Sequence, residues 1–381
     1  MKISDMEYRK LKVIISGGGT GGHIFPALSI AAKLKEVNPQ TEILFVGAEG
    51  RMEMEKVPAA GYKIIGLPVS GLQRQLTMSN LALPFKVIKS IRMAKKVLRE
   101  FKPDLAIGVG GYASAPLLWA AGKLGVPTLI QEQNGFAGLT NKIVGKKALK
   151  ICVAYDNMER FFPADRIVFT GNPIRKEIVP ATPQMKEDAY KFYGLNPEKK
   201  HIFVVGGSLG SATLNNAMKK WIEDGCPGGK DVEVIWQCGK YYKASVDKFM
   251  EEHAAEGKTA GIQYSDFIQR MDLAYAAADV VISRSGASSV SELCAAHKAA
   301  IFVPSPNVAE DHQTHNAMAL VNKDAALIVR DWDAREQLLD TACNLLTDSE
   351  KIATLEKNIA VLARTEAAMD IAKEVYTILE N

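Results

Sequence analysis

The sequence predicts an α/β fold of two Rossmann-like domains, each a doubly wound parallel sheet, that face each other across a cleft. Short apolar runs rich in β-branched residues alternate with longer helical patterns along the 381 residues, which is typical of repeated βαβ units. The runs are apolar throughout, like strands that a parallel sheet buries on both faces. A glycine turn that follows a strand and opens a helix occurs at Gly17–Gly22 and again, half a chain later, at Gly206–Ser211, so we expect two nucleotide-type domains.

The predicted strands form two series, one in each half of the chain, and the segments between them have helical patterns. The first series comprises Lys12–Ser16, Ile43–Val46, Lys63–Leu67, Leu105–Val109, Thr128–Gln131, Ile151–Ala154 and Ile167–Thr170. The second series comprises Ile202–Val205, Val232–Gln237, Gly261–Tyr264, Val280–Ser283, Ala300–Val303 and Ala326–Val329. The last predicted helix is Asp370–Leu379.

The two series predict an N-terminal domain over residues 10–175 and a C-terminal domain over residues 176–366. Glycine, asparagine and proline cluster between Gly171 and Pro197, where we expect the linker. The sequence leaves open whether the C-terminal helix, about 367–381, packs on the N-terminal domain.

Composition excludes several classes of protein. With 47% hydrophobic and 24% charged residues, the chain is typical of a globular protein, and a net charge of +4 is too small to indicate nucleic-acid binding. The five cysteines are scattered and form no CxxC pair, so neither a disulfide framework nor a zinc site is indicated. The polar N-terminus has no signal-peptide core, and no apolar run reaches the roughly 20 residues of a membrane span.

One stretch is strongly basic. Residues 56–99 contain nine lysines and arginines and no acid. Within it, Pro84–Phe101 is predicted as a helix with an apolar stripe over Val87, Ile91, Ala94, Leu98 and Phe101. A parallel basic stripe comprises Lys89, Arg92, Lys96 and Arg99, with Leu81, Leu83 and Phe85 before it. The stretch is either a solvated amphipathic helix that covers a sheet or a docking surface for anionic lipid head groups.

The first glycine turn ends in His23. Gly17–Gly22 matches the dinucleotide fingerprint GxGxxG, and Glu49 could serve as the acid that such a site needs. A nicotinamide dehydrogenase is therefore one alternative, but it leaves His23 and the second glycine turn unexplained.

The second glycine turn also has two interpretations. Gly206–Gly210 matches GxSxG, which would make Ser208 a hydrolytic nucleophile with Asp311 or His312 downstream. We favour a phosphate loop, because the turn mirrors the first one and opens a second domain of the nucleotide type.

Two further polar segments follow predicted strands. Small residues and hydroxyls at Ser285–Ser291 would form a bed of donors, with Glu292 placed to accept from ribose hydroxyls. The alternative for Glu292 is a carboxylate that complements the helix dipole. Gln131–Gly135 clusters amides and an acid, which suit sugar hydroxyls or form an ordinary polar loop. The Asp311–His312 pair lacks a third ligand at metal-site spacing, so no metal is expected.

Together these motifs resemble the MurG family of peptidoglycan N-acetylglucosamine (GlcNAc) transferases. The resembling segments are GGGTGGHIFPAL (17–28), GGYAS (110–114), QEQNGFAGLTNK (131–142), GNPIR (171–175), GGSLGS (206–211), DFIQRM (266–271), RSGASSVSE (284–292) and DHQTHNA (311–317). The resemblance implies a GT-B glycosyltransferase of family 28, with the donor on the C-terminal domain and the acceptor mainly on the N-terminal domain. The implied reaction is inverting transfer of GlcNAc from UDP-GlcNAc to the C4 hydroxyl of undecaprenyl-diphospho-MurNAc-pentapeptide (lipid I), giving lipid II.

The resemblance also implies site residues. Glu292 would bind the ribose, Ile268 the uracil through its backbone, and Gln313 the GlcNAc hydroxyls. The implied substrate-binding residues, which would line the donor site, are Thr20, Gly21, Gly22, Asn134, Arg175, Ser208, Ile268, Ala287, Ser288, Ser289, Val290, Ser291, Glu292 and Gln313. Two departures are small: Leu209 stands where the family often has Gln, and Ser288-Ser289 where it often has Leu-Thr.

The chemistry of the implied reaction needs a base and a stabilised leaving group. His23 is the first candidate base, because an imidazole has an ordinary pKa of about 6.5, and Glu132 is the second. Without a metal or other cofactor, helix dipoles and loop N–H groups would stabilise the departing UDP. A membrane-linked acceptor implies a peripheral protein at the cytoplasmic face of the inner membrane. A binding protein that senses UDP-GlcNAc without turnover is a third alternative.

Overall fold

The computed structural model describes residues 10–69 and 83–380, except for the side chains of residues 83, 84 and 309. Contacts within the chain divide it into two compact units. The first unit comprises the described residues up to Ile174 and those from Thr365 onward, and the second comprises Arg175–Arg364.

The first unit is built on a seven-stranded parallel sheet. Its elements up to Ile174 are β1 (Lys12–Gly17), α1 (Gly21–Val37), β2 (Glu42–Ala48), α2 (Glu53–Ala59), β3 (Lys63–Leu67), α3 (Leu83–Phe101), β4 (Leu105–Gly110), α4 (Ser114–Lys123), β5 (Thr128–Glu132), α5 (Leu139–Gly145), β6 (Lys150–Val153) and β7 (Ile167–Phe169). The strand order is β3-β2-β1-β4-β5-β6-β7, and every pair is parallel.

The second unit is built on a six-stranded parallel sheet. Its elements are α6 (Pro183–Tyr193), β8 (Lys200–Val205), α7 (Ala212–Glu223), β9 (Val232–Gln237), α8 (Lys243–Ala254), β10 (Ile262–Ser265), α9 (Met271–Ala277), β11 (Val280–Ser283), α10 (Ala287–Ala296), β12 (Ala299–Phe302), α11 (His312–Val321), β13 (Leu327–Ile328), α12 (Ala334–Thr347) and α13 (Ser349–Val361). The strand order is β10-β9-β8-β11-β12-β13, again all parallel.

The last helix, α14 (Ala367–Glu380), belongs to the first unit. Its Ile371 and Val375 are fully buried in one hydrophobic cluster with Val13 and Ile15 of β1. Burial of these apolar side chains stabilises the return of the chain to the first sheet.

The predicted fold class is confirmed, since both sheets are parallel and doubly wound. All thirteen predicted strands form, with ends that differ by at most two residues from the predicted ones. The uniformly apolar runs are the reason: β4, for example, is buried at every position, so both of its faces contact the core.

The predicted apolar stripe of α3 is only partly right. Ala94 and Leu98 are buried, but Val87 is 37% exposed, and Ser90 and Val97 are buried instead. Among the described residues, the hydrophobic cluster under this helix takes its helix residues from Met93 onward, so the apolar stripe packs on it only in the later turns.

None of the helices in the described part of the chain combines the length and the apolar character that a membrane-spanning segment requires.

Candidate active site

Each sheet has one point at which the strand order reverses. In the first unit it lies between β1 and β4, and in the second between β8 and β11. In open α/β sheets, ligands bind outside the carboxyl ends of the strands at such points. The two predicted glycine turns follow β1 and β8, so each lies at the switch point of its own unit.

The first turn brings His23 against the loop that follows β4. The imidazole packs on Gly110, where an added Cβ would lie 2.8 Å from Nε2. Gly110 and Gly111 have φ values of +102° and +90°, which side-chain-bearing residues rarely adopt. The loop therefore needs glycine both for its backbone and for the space that the imidazole occupies.

The contacts of Nδ1 determine the tautomer of His23. This nitrogen lies 3.1 Å from the Gly18 carbonyl oxygen and 3.3 Å from Thr20 Oγ1. A carbonyl oxygen can only accept a hydrogen bond, so Nδ1 carries the proton and the neutral ring has its lone pair on Nε2. That is the arrangement of a general base that acts through Nε2.

Glu132, the second candidate base, organises a loop. Its side chain is 1% exposed and accepts hydrogen bonds from the backbone N–H groups of Asn134 (3.1 Å) and Gly138 (3.0 Å) and from Asn141 Nδ2 (2.9 Å). Together with Asn134 Nδ2 at 3.4 Å, these donors hold the carboxylate in place and direct it into the protein. These contacts disfavour Glu132 as the base and favour a structural role between β5 and α5.

The second glycine turn packs closely on the loop after β9. Gly207 and Gly210 have φ values of +83° and +79°. A Cβ on Gly210 would lie 2.3 Å from the Cys238 carbonyl oxygen, so the backbone segments touch. Ser208 is exposed on this turn, and Ser211 caps α7 by accepting from the Leu214 N–H group.

Two predicted residues of the second unit form a close ion pair. Arg175 Nε and Nη2 each donate to one carboxylate oxygen of Glu292 at 2.9 Å, and the Tyr275 hydroxyl donates to the same carboxylate at 3.2 Å. Burial raises the pKa of Glu292 above its ordinary value, and the Arg175 guanidinium opposes that shift. The fork geometry holds the carboxylate in one orientation at the first turns of α10.

The N-terminal turn of α10 has the small residues that the sequence predicted. Ala287 and Val290 are buried, and the half-buried hydroxyl residues are Ser288, Ser289 and Ser291. Gln313, at the start of α11, accepts from the Ser305 N–H group at 2.9 Å, which orients its amide nitrogen as a donor. Ile268 is buried in the loop after β10.

The predicted substrate-binding set thus divides between the units. Exposed Thr20 and Gly22, half-buried Gly21 and half-buried Asn134 belong to the first, and the remaining residues, from Arg175 to Gln313, belong to the second. Within the second unit the structure brings Arg175 and Glu292 into direct contact.

Sequence reasoning missed three polar residues that hold these loops. Arg284 donates to Ser211 Oγ at 3.1 Å and to the Val303 carbonyl at 2.9 Å, and it pairs with Asp331. Tyr275 holds Glu292, and Glu53 contacts the first glycine turn. Arg284 opens the RSGASSVSE motif, which was the available signal, whereas no sequence pattern distinguishes Tyr275 or Glu53.

The predicted lipid-facing residues are exposed where the structure describes them. Phe85 is 76% exposed, and Lys89, Arg92 and Lys96 lie on the exposed side of α3. Leu81 lies outside the described residues, as does the side chain of Leu83.

Side chains that could bind a metal ion are not clustered in the parts of the chain that the structure describes. Within residues 10–69 and 83–380, histidine, cysteine and carboxylate side chains form no cluster of three or more that could hold an ion.

Comparison with known proteins extends over both units. Residues 13–153 match the glycosyltransferase family 28 N-terminal domain, and residues 201–375 match the glycosyltransferase family 28 C-terminal domain.

Curated relatives match at full length. A protein of Parabacteroides distasonis, named UDP-N-acetylglucosamine–N-acetylmuramyl-(pentapeptide) pyrophosphoryl-undecaprenol N-acetylglucosamine transferase, is 55% identical over 98% of this chain and 100% of its own. A Cytophaga hutchinsonii protein of the same name is 52% identical over 98% of this chain and 99% of its own.

A solved structure agrees with the sequence matches. The crystal structure of Acinetobacter baumannii MurG is 27% identical, covers 96% of this chain and 99% of its own, and has a TM-score of 0.75. Two family domains in order, full-length relatives above half identity and the shared fold lead to one conclusion: this chain belongs to glycosyltransferase family 28.

Proposed function

We propose that the chain transfers GlcNAc from UDP-GlcNAc to the C4 hydroxyl of lipid I, giving lipid II and UDP. The observation that carries this proposal is full-length identity of 55% to a relative named for that transfer. In the inverting reaction a base takes the proton of the hydroxyl, the oxygen attacks C1 of GlcNAc, and the C1–O bond electrons leave with UDP.

The second unit is the proposed donor site. Helices α7 and α10 begin beside each other at the switch point of the second sheet, and both present N–H groups that suit a diphosphate. Such preorganised donors can stabilise the departing UDP without a metal ion. Glu292 would accept from the ribose hydroxyls while Arg175 keeps its carboxylate oriented.

The remaining donor contacts follow the same proposal. Ile268 would contact the uracil through its backbone, and the amide nitrogen of Gln313 would donate to a GlcNAc hydroxyl. Ser208 and the α10 serines would add hydroxyl donors around the phosphates.

His23 is the proposed base. Its Nδ1–H donates to the Gly18 carbonyl, which orients the ring and puts the lone pair on Nε2. The position at the switch point of the first sheet suits a group that meets the acceptor hydroxyl. Glu132 would instead hold the loop that carries Asn134.

The first unit is also the proposed membrane-facing part. Exposed apolar side chains extend from α3 to the neighbouring helices: Phe85, Ile88, Trp119, Leu139 and Ile143. Lys95 and Lys123 lie 5.4 and 5.6 Å from the centre of the Trp119 ring, so two cations lie beside this part of the apolar surface. This mixture suits an anionic lipid surface, and we propose peripheral binding at the cytoplasmic face of the inner membrane. No nucleic-acid partner is proposed.

The test is UDP release from UDP-GlcNAc. We expect release that depends on a lipid I analogue and persists in EDTA. Binding of UDP-GlcNAc without turnover, by folded protein supplied with acceptor, would instead establish a sensor and overturn the proposal. Labelling of Ser208 by a fluorophosphonate would indicate a hydrolase, and binding of a nicotinamide dinucleotide would indicate a dehydrogenase.

A further inference from the structure

We infer that Glu53 is a positioning residue for His23: through one peptide group, its carboxylate sets the orientation and the tautomer of the imidazole. The inference rests on the proposed function only in naming His23 as the base. The carboxylate is fully buried and acts through the backbone N–H groups that it binds.

Glu53 connects two loops of the first unit. It is the first residue of α2 and has no accessible surface. Its Oε2 accepts from the Gly19 N–H group at 2.9 Å, and its Oε1 accepts from the Ala48 N–H group at 3.0 Å. One buried carboxylate therefore ties the turn after β1 to the end of β2.

The space around the carboxylate is made by glycine. A Cβ on Gly18 would lie 2.2 Å from Glu53 Oε1, and a Cβ on Gly47 would lie 2.5 Å from Glu53 Cγ. A real Cβ would have to displace the side chain at either position. The two glycines thus let the carboxylate reach the turn and keep it in one place.

The link to His23 runs through the peptide group between Gly18 and Gly19. This group is planar and trans, so its N–H and C=O bonds point in opposite directions. When Glu53 accepts the Gly19 N–H, the Gly18 carbonyl must point away from Glu53. That carbonyl lies 3.1 Å from His23 Nδ1.

The same peptide group is confined on its other side. A Cβ on Gly111 would lie 2.4 Å from the Gly18 carbonyl oxygen, so the loop after β4 packs directly on it. The peptide therefore has little freedom to flip, and its orientation determines which nitrogen of His23 carries the proton.

The linkage has an electrostatic consequence. A carboxylate that accepts the N–H of a peptide polarises the C=O of that peptide and makes it a stronger acceptor. A stronger acceptor at Nδ1–H favours the imidazolium that forms when Nε2 takes a proton. Glu53 thus acts on the basicity of His23 through one peptide unit, as a directly bonded carboxylate does in a catalytic triad.

The first experiment uses Glu53→Gln in the full chain. The carboxamide has the same shape but a single acceptor oxygen, so one of the two backbone N–H groups faces an NH₂ group. We expect kcat to fall roughly 10- to 100-fold, as for other small misplacements of a catalytic group. The KM for UDP-GlcNAc should stay within about twofold, since most of the residues proposed to bind this substrate belong to the second unit. The acidic limb of the pH–rate profile should move to lower pH.

The second readout needs no turnover. Nitrogen NMR of the His23 imidazole should show mainly the Nδ1–H tautomer in the natural protein and a smaller fraction of it in Glu53→Gln. If the natural protein fails to transfer GlcNAc, the proposed function falls, while this measurement still decides the positioning role. An unchanged tautomer in folded Glu53→Gln would overturn the inference.

Two further variants separate positioning from folding. Glu55→Gln is the matched control, because Glu55 lies in the same helix turn but is exposed, and we expect no change in either readout. Gly18→Ala keeps Glu53 but pushes its carboxylate away, so it should reproduce both changes. If Glu53→Gln does not fold, Gly18→Ala decides: natural kcat and tautomer in that variant would refute the role of Glu53.

Discussion

Replacing Arg175 with methionine should destabilise the second unit more at neutral pH than at acidic pH. The change removes both hydrogen bonds to Glu292, whose side chain is only 8% exposed, and leaves the Tyr275 hydroxyl as its donor. Breaking a fully buried pair costs about 3–5 kcal/mol, whereas exposed pairs contribute up to about 1 kcal/mol. Because Arg175 is itself 46% exposed, we expect the free energy of unfolding to fall by about 2 kcal/mol at neutral pH.

The pH dependence follows from the pKa of Glu292. Burial raises this pKa in the folded protein, so the contribution of Glu292 to stability is complete below its unfolded pKa and is lost as pH rises through the folded pKa. Without Arg175 the folded pKa rises further, since the guanidinium opposes the shift. The loss of unfolding free energy in Arg175→Met should therefore grow as pH rises through the folded pKa of Glu292 in the natural protein, which burial holds above the ordinary value.

Urea unfolding followed by tryptophan fluorescence, at about pH 5 and about pH 7.5, measures this difference. Glu292→Gln combined with Arg175→Met should remove the pH dependence. Arg270→Met is a matched control, because the Arg270 hydrogen bond lowers the pKa of Asp272 below its ordinary value. The loss of unfolding free energy in Arg270→Met should therefore not grow between about pH 5 and about pH 7.5. Equal losses at both pH values for Arg175→Met would refute the argument.

Three further predictions concern catalysis and the membrane. His23→Ala should lower kcat by about 10²- to 10⁴-fold in the UDP-release assay, and an unchanged kcat would exclude it as the base. Glu132→Gln should lower kcat by about tenfold at most, because the change only loosens a loop. A larger fall in kcat, together with the disappearance of one limb of the pH–rate profile, would make Glu132 the base. Reversing three charges of α3 should weaken binding to anionic vesicles by at least about 10²-fold, since each basic residue near such a surface contributes about 1 kcal/mol. Binding equal to that of a control with three exposed lysines of the second unit reversed would refute the lipid surface. The α3 set is Lys89, Arg92 and Lys96, and the control set is Lys230, Lys240 and Lys248.

The sequence by itself determined the fold class and the positions of the two glycine turns. Strands buried on both faces must be apolar at every position, so the parallel sheets could be read from local runs such as Leu105–Val109. The glycine turns could be read equally well, because a positive φ and a close backbone approach restrict the residue type on their own. Each of these constraints acts over a few neighbouring residues.

Only the tertiary structure decided which polar side chains meet. Arg175 and Glu292 are 117 residues apart, and Glu53 reaches Gly19 across 34 residues, so no local spacing predicts either contact. The same holds for Glu132: the sequence makes it the second candidate base, and only the fold shows that donors of Asn134, Gly138 and Asn141 surround its carboxylate. The residue type of a polar side chain is local information, but its role depends on partners that only the folded sheet edges bring together.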